Sequence, residues 1–161
     1  MRITIEALVK ARLSSVWESW TTPGDITHWN FASEEWHCPA AEIDLREGGS
    51  FKYHMEAIDK SAAFDFTGSF TKVIPQSTLS FKLDDSRAVE VTFDQLDDGV
   101  RVTEIFETED IHSVEQQKSG WQSILNNFKK HVEGKCTLRT NTTALQRGNN
   151  CLLYTSPSPR D

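Results

Sequence analysis

The sequence predicts an α+β domain in which a curved, seven-stranded antiparallel sheet wraps a long C-terminal helix. Three observations predict it. Short runs of alternating apolar and polar residues, separated by turn residues, recur from Ala41 to Phe106. One further alternating run opens the chain at Arg2–Lys10, where Ile3, Ile5, Ala7 and Val9 share a face. A helical stripe follows the last strand: Val114, Trp121, Leu125, Phe128 and Val132 fall at spacings of seven, four, three and four.

After the first strand, Ser15-Val-Trp-Glu18 fits a capping box, in which the serine hydroxyl accepts from a backbone amide and the glutamate reaches back. The short helix it starts carries Val16, Trp17 and Trp20 and stops at Thr21-Thr22-Pro23-Gly24. Pro23 opens a second short helix reaching to about Trp29, since proline is preset for the first helical turn. The strands come next. Ala41–Arg46 leads into a hairpin turn at Glu47-Gly48-Gly49-Ser50, where glycine supplies positive φ. Phe51, Tyr53, Met55 and Ala57 alternate with Lys52, His54 and Glu56, and Ala63–Ile74 carries Phe64, Phe66, Gly68 and Phe70 in one register. Gly68, inside that long strand, fits a bulge or sharp bend. Three more strands centre on Phe81, Val91 and Val102. Ser113-x-x-Gln116 is a second capping box, at the start of the long helix. Such a sheet, curled round one helix, leaves space between them that need not fill completely.

Length and charge narrow the field. At 161 residues the chain makes one domain, and no apolar run approaches the roughly 18–20 residues that span a bilayer. The net charge of -7 argues against non-specific nucleic-acid binding, which neutralises phosphates. Cys38, Cys136 and Cys151 make no disulfide framework and no clustered zinc site, which points to a reducing, cytoplasmic setting. His28 and His37 lie near Cys38 at a spacing that matches no common metal motif, and no cofactor is expected. The composition breaks after Glu133. From Gly134 onward there are four Lys/Arg and one Asp, a charge of +3, so the first 133 residues carry -7 - 3 = -10. This tail, 134–161, is rich in Thr and Asn without periodicity and reads as disordered. Its closing LLYTSPSPRD looks like translated adaptor or vector sequence, and the tail is set aside as non-native.

The residues also carry a resemblance. Val16-Trp17-x-x-Trp20-Thr21-x-Pro23, then Trp29, Asp44-Leu45-Arg46-Glu47-Gly48-Gly49-x-Phe51, Gly68-x-Phe70 and Gly120-Trp121 resemble the SRPBCC or START-like superfamily. Within it they resemble the branch named for the heat-shock-protein-90 ATPase activator, and His28–Pro39 resembles a bacterial subgroup of that branch. The resemblance covers about residues 3–133. It implies a helix-grip fold with an internal hydrophobic cavity, and relatives that bind lipids, sterols or polyketide-like molecules. Some such relatives are cyclases or hydrolases. The chaperone co-activators resembling this domain carry a further N-terminal domain, whereas this chain begins at the first strand, so the branch name is not carried over as a function.

Candidate site residues follow from face and segment. Trp29, Trp36, Phe51, Tyr53, Phe66 and Trp121 either line a pocket, where flat rings bury much area, or simply fill the core. Trp36 is the foremost ligand candidate, because Trp29–Pro39 shows little repeating pattern and reads either as a lid or as an ordinary helix-to-strand connection. That segment also holds Asn30, Glu34, Glu35 and His37. Glu104 shares a strand face with Val102 and Phe106, so it points inward with a raised pKa and can act as acid or base. His54 and Glu56 share the face opposite Phe51, Tyr53 and Met55; it is either solvent, with the pair mundane, or cavity, with the pair a polar anchor. Gly120, in mid-helix, costs about 1 kcal/mol relative to alanine and suggests close approach to a neighbour or a site where bulk is harmful. Cys38 and His37 are adjacent and on a strand point to opposite faces, which argues against a thiolate–imidazole pair.

Three functions are therefore in play. The first is a binding protein for a small apolar molecule such as a lipid, sterol or aromatic polyketide, with no nucleic-acid partner and no stable membrane insertion. The second is a cyclase- or hydrolase-like enzyme in the same cavity, using Glu104, His54 or His37. The third is a protein-interaction module resembling the chaperone co-activators. Binding predicts a mainly apolar cavity with few polar anchors. Catalysis predicts at least two ionisable groups within hydrogen-bond reach inside it. An interaction module predicts a filled core and an exposed apolar patch.

Overall fold

Alternation builds the strands, and the two ends of the alternating region meet. The computed structural model describes residues 1–142, with side chains as far as Lys135. In chain order the elements are β1 (Arg2–Val9), α1 (Leu13–Thr21), α2 (Pro23–Ile26), β2 (Trp36–Ile43), β3 (Ser50–Ala57) and β4 (Ala63–Ile74). Then come β5 (Thr78–Leu83), β6 (Ala88–Leu96), β7 (Gly99–Glu107) and α3 (Val114–Thr142). The strands form one sheet in the order β1-β7-β6-β5-β4-β3-β2, every neighbour antiparallel. Strands β2 to β7 are a meander of hairpins, and β1 joins it by pairing Arg2 with Glu107 and Val9 with Val100.

That pairing leaves β1 and β2 at opposite edges, and the helices between them must cross the open side of the curled sheet. They do so by packing α2 on β2, and α1 on β6, β7 and α3, while α3 itself lies against β1. The core sits between the inner sheet face and α3. Val91, Val102 and Phe106 are sealed from solvent on one side and Leu125, Phe128 and Val132 on the other. Each such side chain contributes roughly 1.5–3 kcal/mol of burial relative to exposure. Polar bonds fix the helix in register: Lys129 Nζ donates to the Leu8 carbonyl at 2.6 Å and Asn127 Nδ2 to the Phe31 carbonyl at 2.6 Å. The expected box at Ser113 is present, with the Gln116 amide donating to Ser113 Oγ at 3.1 Å and the Ser113 amide to Gln116 Oε1 at 3.2 Å.

Four local expectations are corrected. Helix α1 starts at Leu13 with Arg12 as its N-cap and no side-chain cap, so Ser15 and Glu18 lie inside the helix and form no box. Strand β2 begins at Trp36, five residues before Ala41, which shortens the expected lid. Pro39 is tolerated there because β2 is an edge strand, and its pairing with β3 shifts between His37 and Ala40. Gly68 is not itself a bulge; the register shift in β4 falls between Phe70 and Lys72. What requires glycine is close approach, since a Cβ at Gly68 would sit 2.5 Å from the Lys82 carbonyl oxygen and 2.8 Å from Phe51 Cζ. Finally, α3 runs past the composition break to Thr142, and Lys135 Nζ bonds Ser19 Oγ at 2.9 Å and Asp25 Oδ1 at 3.0 Å. Residues 134–142 are thus helical rather than disordered, and 143–161, the rest of the expected tail, lie outside the described residues.

Candidate functional site

The inner faces of β3, β4 and β5 bring Phe51, Tyr53, Phe66, Phe70 and Phe81 to one side, and these rings do not meet α3 everywhere. The gap is a pocket of about 250 Å³. Phe51, Tyr53, Phe66, Phe70 and Phe81 form its floor, and Trp121 and Ile124 of α3 form its roof. Trp20 and Trp29 close one end, packed edge-on against Phe128 with centroids 4.8 and 4.9 Å away. Trp29 is held there by its indole N–H, which donates to the Ser19 carbonyl at 2.9 Å. Towards the first turns of α3 the wall takes in Arg87, Glu109 and Gln117.

Most polar groups in this wall are already satisfied. Gln117 Nε2 donates to the carbonyls of Glu109 and His112, and its Oε1 accepts from the Glu109 amide. Arg87 Nε donates to Asp85 Oδ2 at 2.8 Å, and the Glu109 carboxylate accepts from the Ile111 and His112 amides. Asn30 Nδ2 points to Met55 Sδ at 3.5 Å. Two groups differ. Tyr53 is 8% exposed, and burial, with Cys38 nearby, raises its phenol pKa. Its hydroxyl has no hydrogen-bond partner among the described residues.

Glu104 is the other. It lies in β7 between Ile5 of β1 and Val91 of β6, two positions before Phe106. Phe106 in turn stacks on Trp121 with centroids 4.1 Å apart and planes 6° from parallel. Glu104 is 7% exposed and has no hydrogen-bond or ion-pair partner among the described residues. Burial pushes its pKa up to about 8. The carboxyl is therefore mostly protonated at neutral pH, and can donate or accept a hydrogen bond from a guest.

Of the residues singled out in the sequence, Trp29, Phe51, Tyr53, Phe66, Glu104 and Trp121 come together in the pocket wall. Four do not. Trp36 opens β2 and sits edge-on to Phe64, centroids 5.7 Å apart, outside the wall. His37 Nε2 faces Glu56 Oε1 at 3.2 Å and His54 Nδ1 faces Asp65 Oδ1 at 2.8 Å, both on the outer face of the sheet. Gly120 also lies outside the wall, and a Cβ there would meet nothing within 4 Å, so no close approach explains it. Cys38 points inward, away from His37, and its thiol pKa is raised by burial. The lid segment contributes Trp29 and Asn30 to this pocket, while Phe31 to Glu34 border a separate polar recess beside Asn127 and Lys130. Among the wall residues that sequence reasoning missed are Trp20, Phe81 and Gln117. Phe81 alternates in phase and Gln117 stands four residues before Trp121, so face counting was the available signal.

The family described as Activator of Hsp90 ATPase homolog 1-like protein matches residues 10–133. The chain belongs to that family. An AHSA1-like protein from Aeromonas hydrophila is 46% identical, with a TM-score of 0.80 over 84% of this chain and 94% of its own. A protein from Cytophaga hutchinsonii is 36% identical, with a TM-score of 0.71 over 92% of this chain and 99% of its own. A protein from Nitrosomonas europaea, 16% identical, shares the fold with a TM-score of 0.75 over 85% of this chain and 97% of its own. No curated protein matches the sequence. Membership in this Hsp90-activator-like family carries with it the SRPBCC superfamily and its helix-grip fold. Among the described residues no helix is long and apolar enough to cross a membrane.

Proposed function

We propose that the protein binds a small, largely apolar molecule between the sheet and α3, with Glu104 as its polar anchor. The observation that carries this reading is an aromatic-walled pocket containing one deeply buried carboxyl group with no partner among the described residues. A carboxyl buried without a partner costs free energy, and a ligand that bonds it recovers part of that cost. At about 250 Å³ the pocket is just below the roughly 300–1,000 Å³ of sites for drug-sized ligands, which favours molecules of one or two rings over a sterol. A reducing, cytoplasmic setting suits the buried free thiol of Cys38.

The enzymatic alternative is less well supported. It needs a second ionisable group within reach of Glu104, and His37 and His54 are both engaged on the outer face. Native mass spectrometry of detergent-free protein tests the proposal directly, with a stoichiometric apolar adduct as the expected result. Tryptophan fluorescence gives an independent readout, because Trp20, Trp29 and Trp121 line the pocket. A saturable change is expected with ring-bearing probes; it persists in Trp36→Ala and is reduced in Trp121→Ala, where Trp20 and Trp29 still report. Absence of both the adduct and any saturable change overturns the reading.

A further inference from the structure

The surroundings of Glu104 narrow the polar group it is built to meet, and this narrowing rests on the binding function already proposed. We propose that the pocket takes an amine carried on one or two rings, its ammonium paired with Glu104 and its rings against Phe51, Phe66 and Trp121.

Three observations lead there. First, Glu104 is an acidic group with no donor from any described element packed on it. Its strand neighbours are the apolar Ile5 and Val91. The ionisable residues that share the wall are Tyr53 from β3, Arg87 from the β5–β6 turn and Glu109 before α3. Arg87 Nε is engaged by Asp85 and Glu109 by His112, and none of these wall residues bonds Glu104. A guest cation satisfies this carboxylate more fully than a guest hydroxyl does, because charge-assisted hydrogen bonds are about twice as strong as neutral ones.

Second, the rest of the wall attracts cations. Phe51, Tyr53, Phe66 and Trp121 stand around one space with neighbouring centroids 4.9 to 6.3 Å apart. Ring faces draw a positive charge, most of all when water is excluded. Third, the domain as a whole is acidic, at -7 for the full chain. That field favours the approach of cations and opposes fatty acids and other anions. The pairing conserves charge simply: an ammonium ion enters, the carboxyl loses its proton to solvent, and the O–H bond is replaced by an N–H···O contact.

Matched probes separate this proposal from the broader one. Phenylbutylamine, phenylbutanol and phenylbutyrate share an arm and a ring and differ at the polar end. Calorimetric titration of the full chain in buffers of different ionisation enthalpy should show the amine binding at least about tenfold more tightly than the alcohol at pH 8. It should also show close to one proton released per amine bound at pH 7, and amine affinity rising up to about tenfold per pH unit below about 8. The acid should bind weakest. Glu104→Gln should weaken the amine by about a hundredfold at pH 8 while moving the alcohol less than about threefold. If that variant does not fold, the proton release and the amine-to-alcohol ratio on the unaltered protein still decide. Equal amine and alcohol affinities, or amine binding without proton release, overturn the amine assignment and leave the binding function standing. Binding of none of the three probes counts against both.

Discussion

Glu104 ties the stability of the fold to pH in a direction opposite to most carboxylates. Its folded pKa of about 8 lies above the unfolded value near 4.5, so the folded state holds a proton that the unfolded chain releases. Below about 4.5 both states are protonated and the residue is neutral to stability. As pH rises from there towards 8, the unfolded chain ionises first and unfolding becomes easier by about 1.4 kcal/mol per unit. The whole window is worth on the order of 5 kcal/mol, against a total of roughly 5–15 kcal/mol for a typical domain. Glu104→Gln keeps the shape and removes the titration. Urea denaturation of both proteins at pH steps from 4.5 to 8.5, at fixed ionic strength, isolates the residue because other carboxylates cancel in the difference. The variant should be equal or slightly weaker at pH 4.5 and more stable by about 3 kcal/mol at pH 7. A difference that stays constant across the range refutes the reasoning.

Other consequences are simpler to read. Gly68→Ala should destabilise by about 1–3 kcal/mol, because its Cβ runs into the Lys82 carbonyl and the Phe51 ring. Gly120→Ala should instead stabilise by up to about 1 kcal/mol, since the added methyl meets nothing and the helix gains propensity; both are measured by chemical denaturation. Ser113→Ala removes the cap of α3 and should cost about 1 kcal/mol in the same assay. Asp25 is pushed up by burial but held below the usual carboxylate range by His131 and Lys135. Its contribution is therefore present above about pH 4 and lost as pH falls further, and a Lys135→Ala variant should show less of this acid loss in a denaturation series.

What was legible in the sequence was whatever depends on period. The strands from Phe51 to Phe106 and the α3 stripe follow from alternation and helical spacing, and Glu104 was placed inward by the same count. The cap at Ser113 was readable because its box precedes a long stripe. Ser15 and Glu18 show the same spacing inside a helix nine residues long, where nothing in the pattern says which turn is first. Trp36, His37 and Cys38 belong to a strand whose alternation is broken by Pro39 and by a register shift, so no period was there to find. The assembly of the pocket was out of reach for another reason. Which side chains of β3, β4, β5 and β7 face one space depends on curvature and on where α3 lies, and neither is written in local spacing. His54 shows the limit well: its face was identified, but only the pairing with Asp65 tells that this face looks outward.

The pairing of β1 with β7 carries a consequence for how the chain comes to be folded. Strand β1 is the first of the described strands in chain order, yet among the described residues it pairs in the sheet only with β7, the last of them. At synthesis rates of about 5–20 residues per second, it waits several seconds with Ile3, Ile5 and Val9 uncovered. The hairpins from β2 to β6 need no such delay, because each strand follows its partner directly. In the folded chain β1 and α3 pack on each other, so contact between these two ends of the domain waits for both to be present. Such late, distant pairing slows folding, as non-local contacts do generally. It also means that a chain cut short before Gly99 has no partner for its first strand.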